Sequence, residues 1–211
     1  MDNIKQYIQA SQKENVWSLG NLVLYDLCKN HPFHKTNEEI IAKIWLIGRS
    51  YAASIERRKT NDETINDDFY SDKVAPIIQK SDIDNWINKC RSSKSINDIL
   101  QVHHNVTNLF NTISGLNKRS LASKYLHFHL PEYFFIYDTR AVKSIGNVLK
   151  ILGQKRFIIG KTQLEFDKEY SKFFYKCHFV QEHIKEKYGV ILNCRQLDNL
   201  LIYIDNENIR K

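Results

Sequence analysis

Apolar side chains return at intervals of three, four and seven residues along almost the whole chain, and that period commits it to α-helix rather than strand. In the stretch "LASKYLHFHLPEYFFIYDTRA", Leu121, Tyr125 and Phe128 stand at i, i+4 and i+7 of one helical face. The same reading predicts helices over Val16 to Lys29, about Glu38 to Arg58, Phe69 to Gln79, Ser81 to Arg91, Ile96 to Ile113, Lys118 to His129, Thr139 to Leu152, Gln163 to Tyr188 and Arg195 to Ile204. Thr36 and Asn37 offer a cap ahead of Glu39, and Pro131 ends the helix that holds Lys124. With only seven glycines and three prolines in 211 residues there are few tight turns to punctuate strands. An all-α protein follows, long enough to bury a core of its own.

Four cysteines, Cys28, Cys90, Cys177 and Cys194, lie far apart and in no paired motif. The opening "MDNIKQYIQA" has no basic segment followed by an apolar one, and no apolar run approaches the roughly 20 residues that span a bilayer. The expectation is a soluble, reduced, cytoplasmic monomer with no membrane partner. No internal repeat or low-complexity linker interrupts the chain, which reads as one helical domain over 1–211. The polar "KTNDETINDD" segment permits two subdomains, about 1–60 with the C-terminal helices and about 69–160.

The net charge of +7 is local. Residues 1–115 hold 14 Lys and Arg against 14 Asp and Glu, and residues 162–211 hold 8 against 8. Between Leu116 and Lys161 nine basic residues (Lys118, Arg119, Lys124, Arg140, Lys143, Lys150, Lys155, Arg156 and Lys161) face only Glu132 and Asp138. A cluster of this kind suits a phosphate backbone, because neutralising several phosphates at once releases counterions. A merely solvated basic surface has the same composition.

Two side chains in this region have both a structural and a chemical reading. Lys124 occupies the i+3 place on the apolar face of its helix, at the edge of the core. Asp138 precedes "TRA" at the start of the next helix, where a carboxylate accepts backbone N–H bonds as an N-cap. Structurally they are a packed lysine and a capping aspartate. Chemically, a desolvated lysine is more easily neutral and can attack a sugar C1′ to form a Schiff base. A carboxylate nearby can stabilise an oxocarbenium-like centre or take up protons.

The loop "SGLNKRS", the lysine in "ASKYL", the apolar run after it and the aspartate of "IYDTRA" resemble the active-site region of helix-hairpin-helix DNA glycosylases, most closely the 8-oxoguanine DNA glycosylase-like branch. The resemblance covers about Ser114 to Lys143. It implies a compact helical glycosylase-like fold of two helical subdomains, with a degenerate helix-hairpin-helix in which Gly115 is the single glycine. By that resemblance Lys124 matches the Schiff-base nucleophile and Asp138 the catalytic carboxylate. Gly115, Asn117, Lys118, Arg119, Arg140 and Lys143 would meet DNA, and the partner is double-stranded DNA containing a modified base. The connection from Lys124 to Asp138 is short, as in a compact, divergent relative. No cysteine-rich tail of the kind that holds an iron–sulfur cluster is present, so no cofactor and no metal are expected.

An enzyme that acts on a base inside a duplex must extrude and grip it. In "WLIGRSYAASIERRK", Trp45, Arg49 and Tyr51 are candidates for that pocket, and Gly48 would let another backbone or a base approach closely. Arg57 and Arg58 either meet phosphate or complement the dipole at a helix end. His127, one turn from Lys124, could order the site. His127 and His129 are two apart and His103 and His104 adjacent, so neither pair chelates one ion from a single helix. Three functions remain open: a DNA glycosylase, with or without lyase activity, in repair or in defence against modified phage DNA; a non-catalytic helical DNA-binding module using the 116–161 basic region; and a protein-interaction or toxin-like helical domain.

Overall fold

The computed structural model describes residues 3–57, 68–154, 157–160 and 165–209, and among them there is no β-strand. The helices are α1 (Asn3–Ser11), α2 (Ser18–Asn30), α3 (Asn37–Ser50), α4 (Ala75–Gln79, continuing a π-helical run Phe69–Val74), α5 (Ile83–Ser93), α6 (Ile96–Ser114), α7 (Arg119–His129), α8 (Thr139–Ile151), α9 (Lys168–Tyr188) and α10 (Cys194–Ile209). None is long and apolar enough to cross a membrane. The all-α expectation therefore holds for the described residues.

The chain forms two compact units, one of residues 17–134 and one of residues 1–16 with 135–211. In the first, α3 packs on α2, α4 and α7, and α6 packs on α5 and α7. Ile40, Ile44 and Ile47 of α3, Val106, Phe110 and Ile113 of α6, and Leu121, Ala122 and Tyr125 of α7 are all buried. Each aliphatic side chain so buried stabilises by about 1.5–3 kcal/mol before the entropy of ordering is counted. Ser95 caps α6, accepting from Asp98 N at 3.1 Å while donating to Asp98 Oδ2 at 2.7 Å. In the second unit α10 lies against α1 and α8, and α9 against α8. Ile145 and Val148 meet a core made with Leu197, Leu200, Leu201, Tyr170 and Phe174.

Three differences from the predicted elements have physical causes in the structure. α1 was not expected, because only Ile4 and Ile8 mark its face, yet both are buried as it packs on α10. The predicted helix over Glu38 to Arg58 stops at Ser50. Beyond it Ala52 adopts a left-handed φ of 49° and Ala53 N donates to Gly48 O at 2.8 Å, turning the chain back on itself. Gly48 makes this possible: a Cβ there would stand 3.0 Å from Ser54 Cα. The backbone that approaches this glycine is the chain's own, and tertiary closure overrides the good helix propensity of "YAAS". Arg57 accordingly lies in a turn and not at a helix end, its Nη1 donating to Ala52 O; Arg58 and the segment 59–67 lie outside the described residues. The helix predicted from Gln163 begins at Lys168, because Asp167 Oδ1 accepts from Glu169 N and Tyr170 N and so caps α9; residues 163 and 164 lie outside the described residues.

Candidate functional site: a buried lysine behind an open cleft

α6 ends where Gly115 takes a φ of 72° and returns its N–H to Asn111 O. Ser114 Oγ donates to Phe110 O at 2.8 Å, and Asn117 Oδ1 accepts from Arg119 N at 3.0 Å. These bonds close the hairpin between α6 and α7 with one glycine, since only Gly115 needs the left-handed conformation.

The hairpin forms one wall of an open cleft of about 490 Å³. Leu116, Asn117, Lys118, Ser120 and Leu121 line that side; Ala52, Ala53, Ser54 and Arg57, from the turn after α3, line the other. Lys118 ties the walls together, its Nζ donating to the carbonyl oxygens of Ser54 (3.3 Å) and Arg57 (2.7 Å). Burial holds its pKa below the ordinary lysine value. Lys118 is therefore a brace of the cleft, although the sequence offered it as a phosphate contact. Arg119 opens α7 and is half-buried.

Behind this wall sits Lys124, 1% exposed. Its Nζ donates to Ser120 Oγ at 2.8 Å and stands 5.9 Å from the centre of the Tyr51 ring. Ser120, one helical turn earlier, lines the cleft, so one hydrogen bond separates the buried ammonium from open space. Tyr51 donates its hydroxyl to Asn21 Oδ1 at 2.7 Å and meets Phe128 edge to face. The candidate base-pocket residues Trp45, Arg49, Tyr51 and His127 are not among the side chains that line the cleft.

Each of the other three has its own setting. Trp45 is 44% exposed, with the Arg49 guanidinium 6.0 Å from its ring. Arg49 Nη2 pairs with Glu56 Oε1 at 2.6 Å, and Tyr70 donates to Glu56 Oε2 at 2.5 Å. That pairing holds the turn that forms the cleft's second wall. Burial, reinforced by the Glu56 bond, raises the Tyr70 phenol well above its usual pKa. His127 is fully buried; because a carbonyl only accepts, its Nδ1 donates to Phe134 O (2.8 Å), and its Nε2 accepts from Tyr25 OH (2.6 Å). It orders α7 and the crossing segment after Pro131.

A second buried network fastens the other flank of α7. His34 Nδ1 and backbone N bond the Asp84 carboxylate at 2.6 and 3.2 Å, and His34 Nε2 bonds Tyr125 OH at 2.6 Å. Burial pushes the His34 imidazole down to about 4, overcoming the Asp84 carboxylate that favours its charged form. The neutral ring donates from Nδ1 to Asp84 and accepts from Tyr125. Lys43, fully buried on α3, donates to the carbonyls of His31 (2.8 Å) and Phe33 (2.6 Å), and burial lowers its pKa to about 8.

Asp138, Arg140 and Lys143 belong to the second unit. Asp138 Oδ1 accepts from Ala141 N at 2.8 Å and caps α8, as its position predicted. Arg140 donates from Nε to Asp205 Oδ2 (2.7 Å) and from Nη2 to Asn206 Oδ1 (2.5 Å), joining α8 to α10. Lys143 and Lys150 are exposed on α8. Of the nine basic residues counted in the sequence, Lys118, Lys124 and Arg140 thus have protein partners, while Lys155, Arg156 and Lys161 lie outside the described residues. No group of three His, Cys, Asp or Glu suited to a metal ion occurs among the described residues.

Sequence reasoning missed Ser120, Asn21 and Glu56. Ser120 had a signal, since it lies four residues before Lys124 on the same face. Asn21 had none, because its partner Tyr51 is far along the chain, and Glu56 had none, because Arg49 and Tyr70 reach it only across the turn after α3. Comparison with protein-family models, with curated proteins and with solved structures finds no match.

Proposed function

We propose that this chain is a DNA glycosylase that takes a modified or damaged base out of the duplex and cleaves its N-glycosidic bond, with Lys124 as a Schiff-base nucleophile. The observation that supports this most is the lysine held behind the cleft wall: fully buried, one hydrogen bond from Ser120, on the helix that follows the Gly115 hairpin. A lysine wholly removed from water costs stability that a purely structural role could avoid with an apolar residue. In its neutral form the Nζ lone pair bonds to C1′ as the C1′–N bond breaks. The departing electron pair leaves with the base, which takes up a proton. The reading keeps Asp138 as the carboxylate expected from the sequence.

A non-catalytic DNA-binding module is the second reading, favoured by the bond that gives Lys124 an ordinary packed setting against Ser120. Borohydride trapping on a duplex with an abasic site separates the two. The glycosylase-lyase reading expects a covalent adduct in the wild type and none in Lys124→Gln; binding without any adduct removes the lysine nucleophile. Asp138→Asn tests the carboxylate alone, because asparagine caps a helix about as well as aspartate and leaves the fold intact. Base excision at the wild-type rate in that variant removes Asp138 from the chemistry.

A further inference from the structure

We infer that Asn21 reads the extruded base, donating from its side-chain amide to a carbonyl oxygen at the base's exocyclic position; this rests on the glycosylase reading. Tyr51 donates to Asn21 Oδ1 at 2.7 Å, which turns both N–H groups of Nδ2 away from the tyrosine. Among the described residues Nδ2 has no hydrogen-bond partner, and the residue is half-buried. An amide with its oxygen already engaged and its donors available is polar capacity that water or a ligand must fill.

Its placement matches that of Lys124. Tyr51 meets both residues, bonding Asn21 through its hydroxyl and presenting its ring to Lys124 Nζ at 5.9 Å. One turn further along α2, Tyr25 bonds His127, which lies three residues after Lys124 on α7. Two tyrosine bridges therefore hold α2 in register with the helix that carries the lysine, and the amide is fixed rather than adrift on a loop. One turn before Asn21 stands Trp17, joined by the Asn21 N to Trp17 O bond of 3.0 Å and 74% exposed. At i and i+4, the indole and the amide share a helical face, and a flat ring with an edge donor is the combination that holds a flipped base.

A fixed donor discriminates by what it cannot satisfy. Facing a keto oxygen the amide makes its bond; facing an exocyclic amino group, donor meets donor and one bond is lost. Preference for keto over amino bases of about ten-fold or more is expected.

The test uses the full chain and duplexes with one central 2′-fluoro nucleotide, which resists glycosidic cleavage. Hypoxanthine is compared with adenine and uracil with cytosine, and a tetrahydrofuran abasic analogue serves as the base-free reference. The wild type should bind each keto duplex about ten-fold tighter than its amino counterpart. Asn21→Asp keeps an oxygen for the Tyr51 hydroxyl but replaces the donors with an acceptor. It should invert the preference, bringing the keto-to-amino ratio below one, with its thermal melt unchanged. A ratio in Asn21→Asp equal to that of the wild type, or no keto preference in the wild type, overturns the inference alone. A wild type that binds the tetrahydrofuran duplex no better than an unmodified one overturns the glycosylase reading, and this inference with it.

Discussion

Acidification should destabilise this protein through His34. In the unfolded chain the imidazole titrates at its ordinary 6.5, while in the fold burial between Asp84 and Tyr125 lowers it to about 4. The unfolded state therefore binds more protons between these values, and stability falls as pH drops through that window. Above pH 6.5 the ring is neutral in both states and the full stability is present. Between pH 7 and pH 5 the unfolded ring becomes almost fully charged while the folded one stays neutral, a loss of about 2 kcal/mol; complete titration below pH 4 brings it to about 3.4 kcal/mol. His129, also pushed down by burial, adds a loss of the same sign. The contribution of His34 is isolated by comparing the wild type with His34→Gln, which retains a donor and an acceptor but does not titrate. Urea unfolding followed by circular dichroism at pH 7 and pH 5 should show the wild type losing about 2 kcal/mol more than the variant. Equal losses in the two proteins would refute the assignment of the buried, neutral imidazole.

Gly48→Ala should destabilise by about 1–2 kcal/mol, overpacking against the Ser54 backbone outweighing the roughly 1 kcal/mol gained in helix propensity; a thermal melt no lower than the wild type's contradicts the close approach. Arg140→Ala leaves the buried Asp205 carboxylate without its partner and should cost about 1–3 kcal/mol, less than a fully buried pair because Arg140 is half exposed. The salt dependence of DNA binding should not change in that variant, and a shallower slope with unchanged stability would instead make Arg140 a phosphate contact. Asp138→Ala should lose about 1 kcal/mol with the α8 cap, whereas Asp138→Asn should unfold at the wild-type urea midpoint.

The helical class and most helix boundaries were legible because they depend on local periodicity and caps: Thr36 and Asp138 stand where their side chains predict. So was the place of Lys124 on the apolar face of α7. The ends of α3 and α9 were misread for opposite reasons. α3 is cut short where the chain turns back and brings Ser54 against Gly48, while α9 starts late because Asp167 supplies a cap that apolar spacing does not register.

Net charge is a property of the sequence, but where each charge is spent belongs to the fold. The counting of basic residues between Leu116 and Lys161 could not separate Lys118, committed to two carbonyls across the cleft, or Arg140, committed to Asp205, from the exposed Lys143. The sequence by itself determined that the chain is helical, that Thr36 and Asp138 cap α3 and α8, and that Lys124 meets the core, since all three follow from residues a turn or less apart. Only tertiary structure decided that Ser120 connects that lysine to an open cleft, that Glu56 braces the opposite wall and that Asn21 orients its amide through Tyr51. The two cleft walls and the Tyr51–Asn21 bond join residues tens of positions apart, and no local period records them.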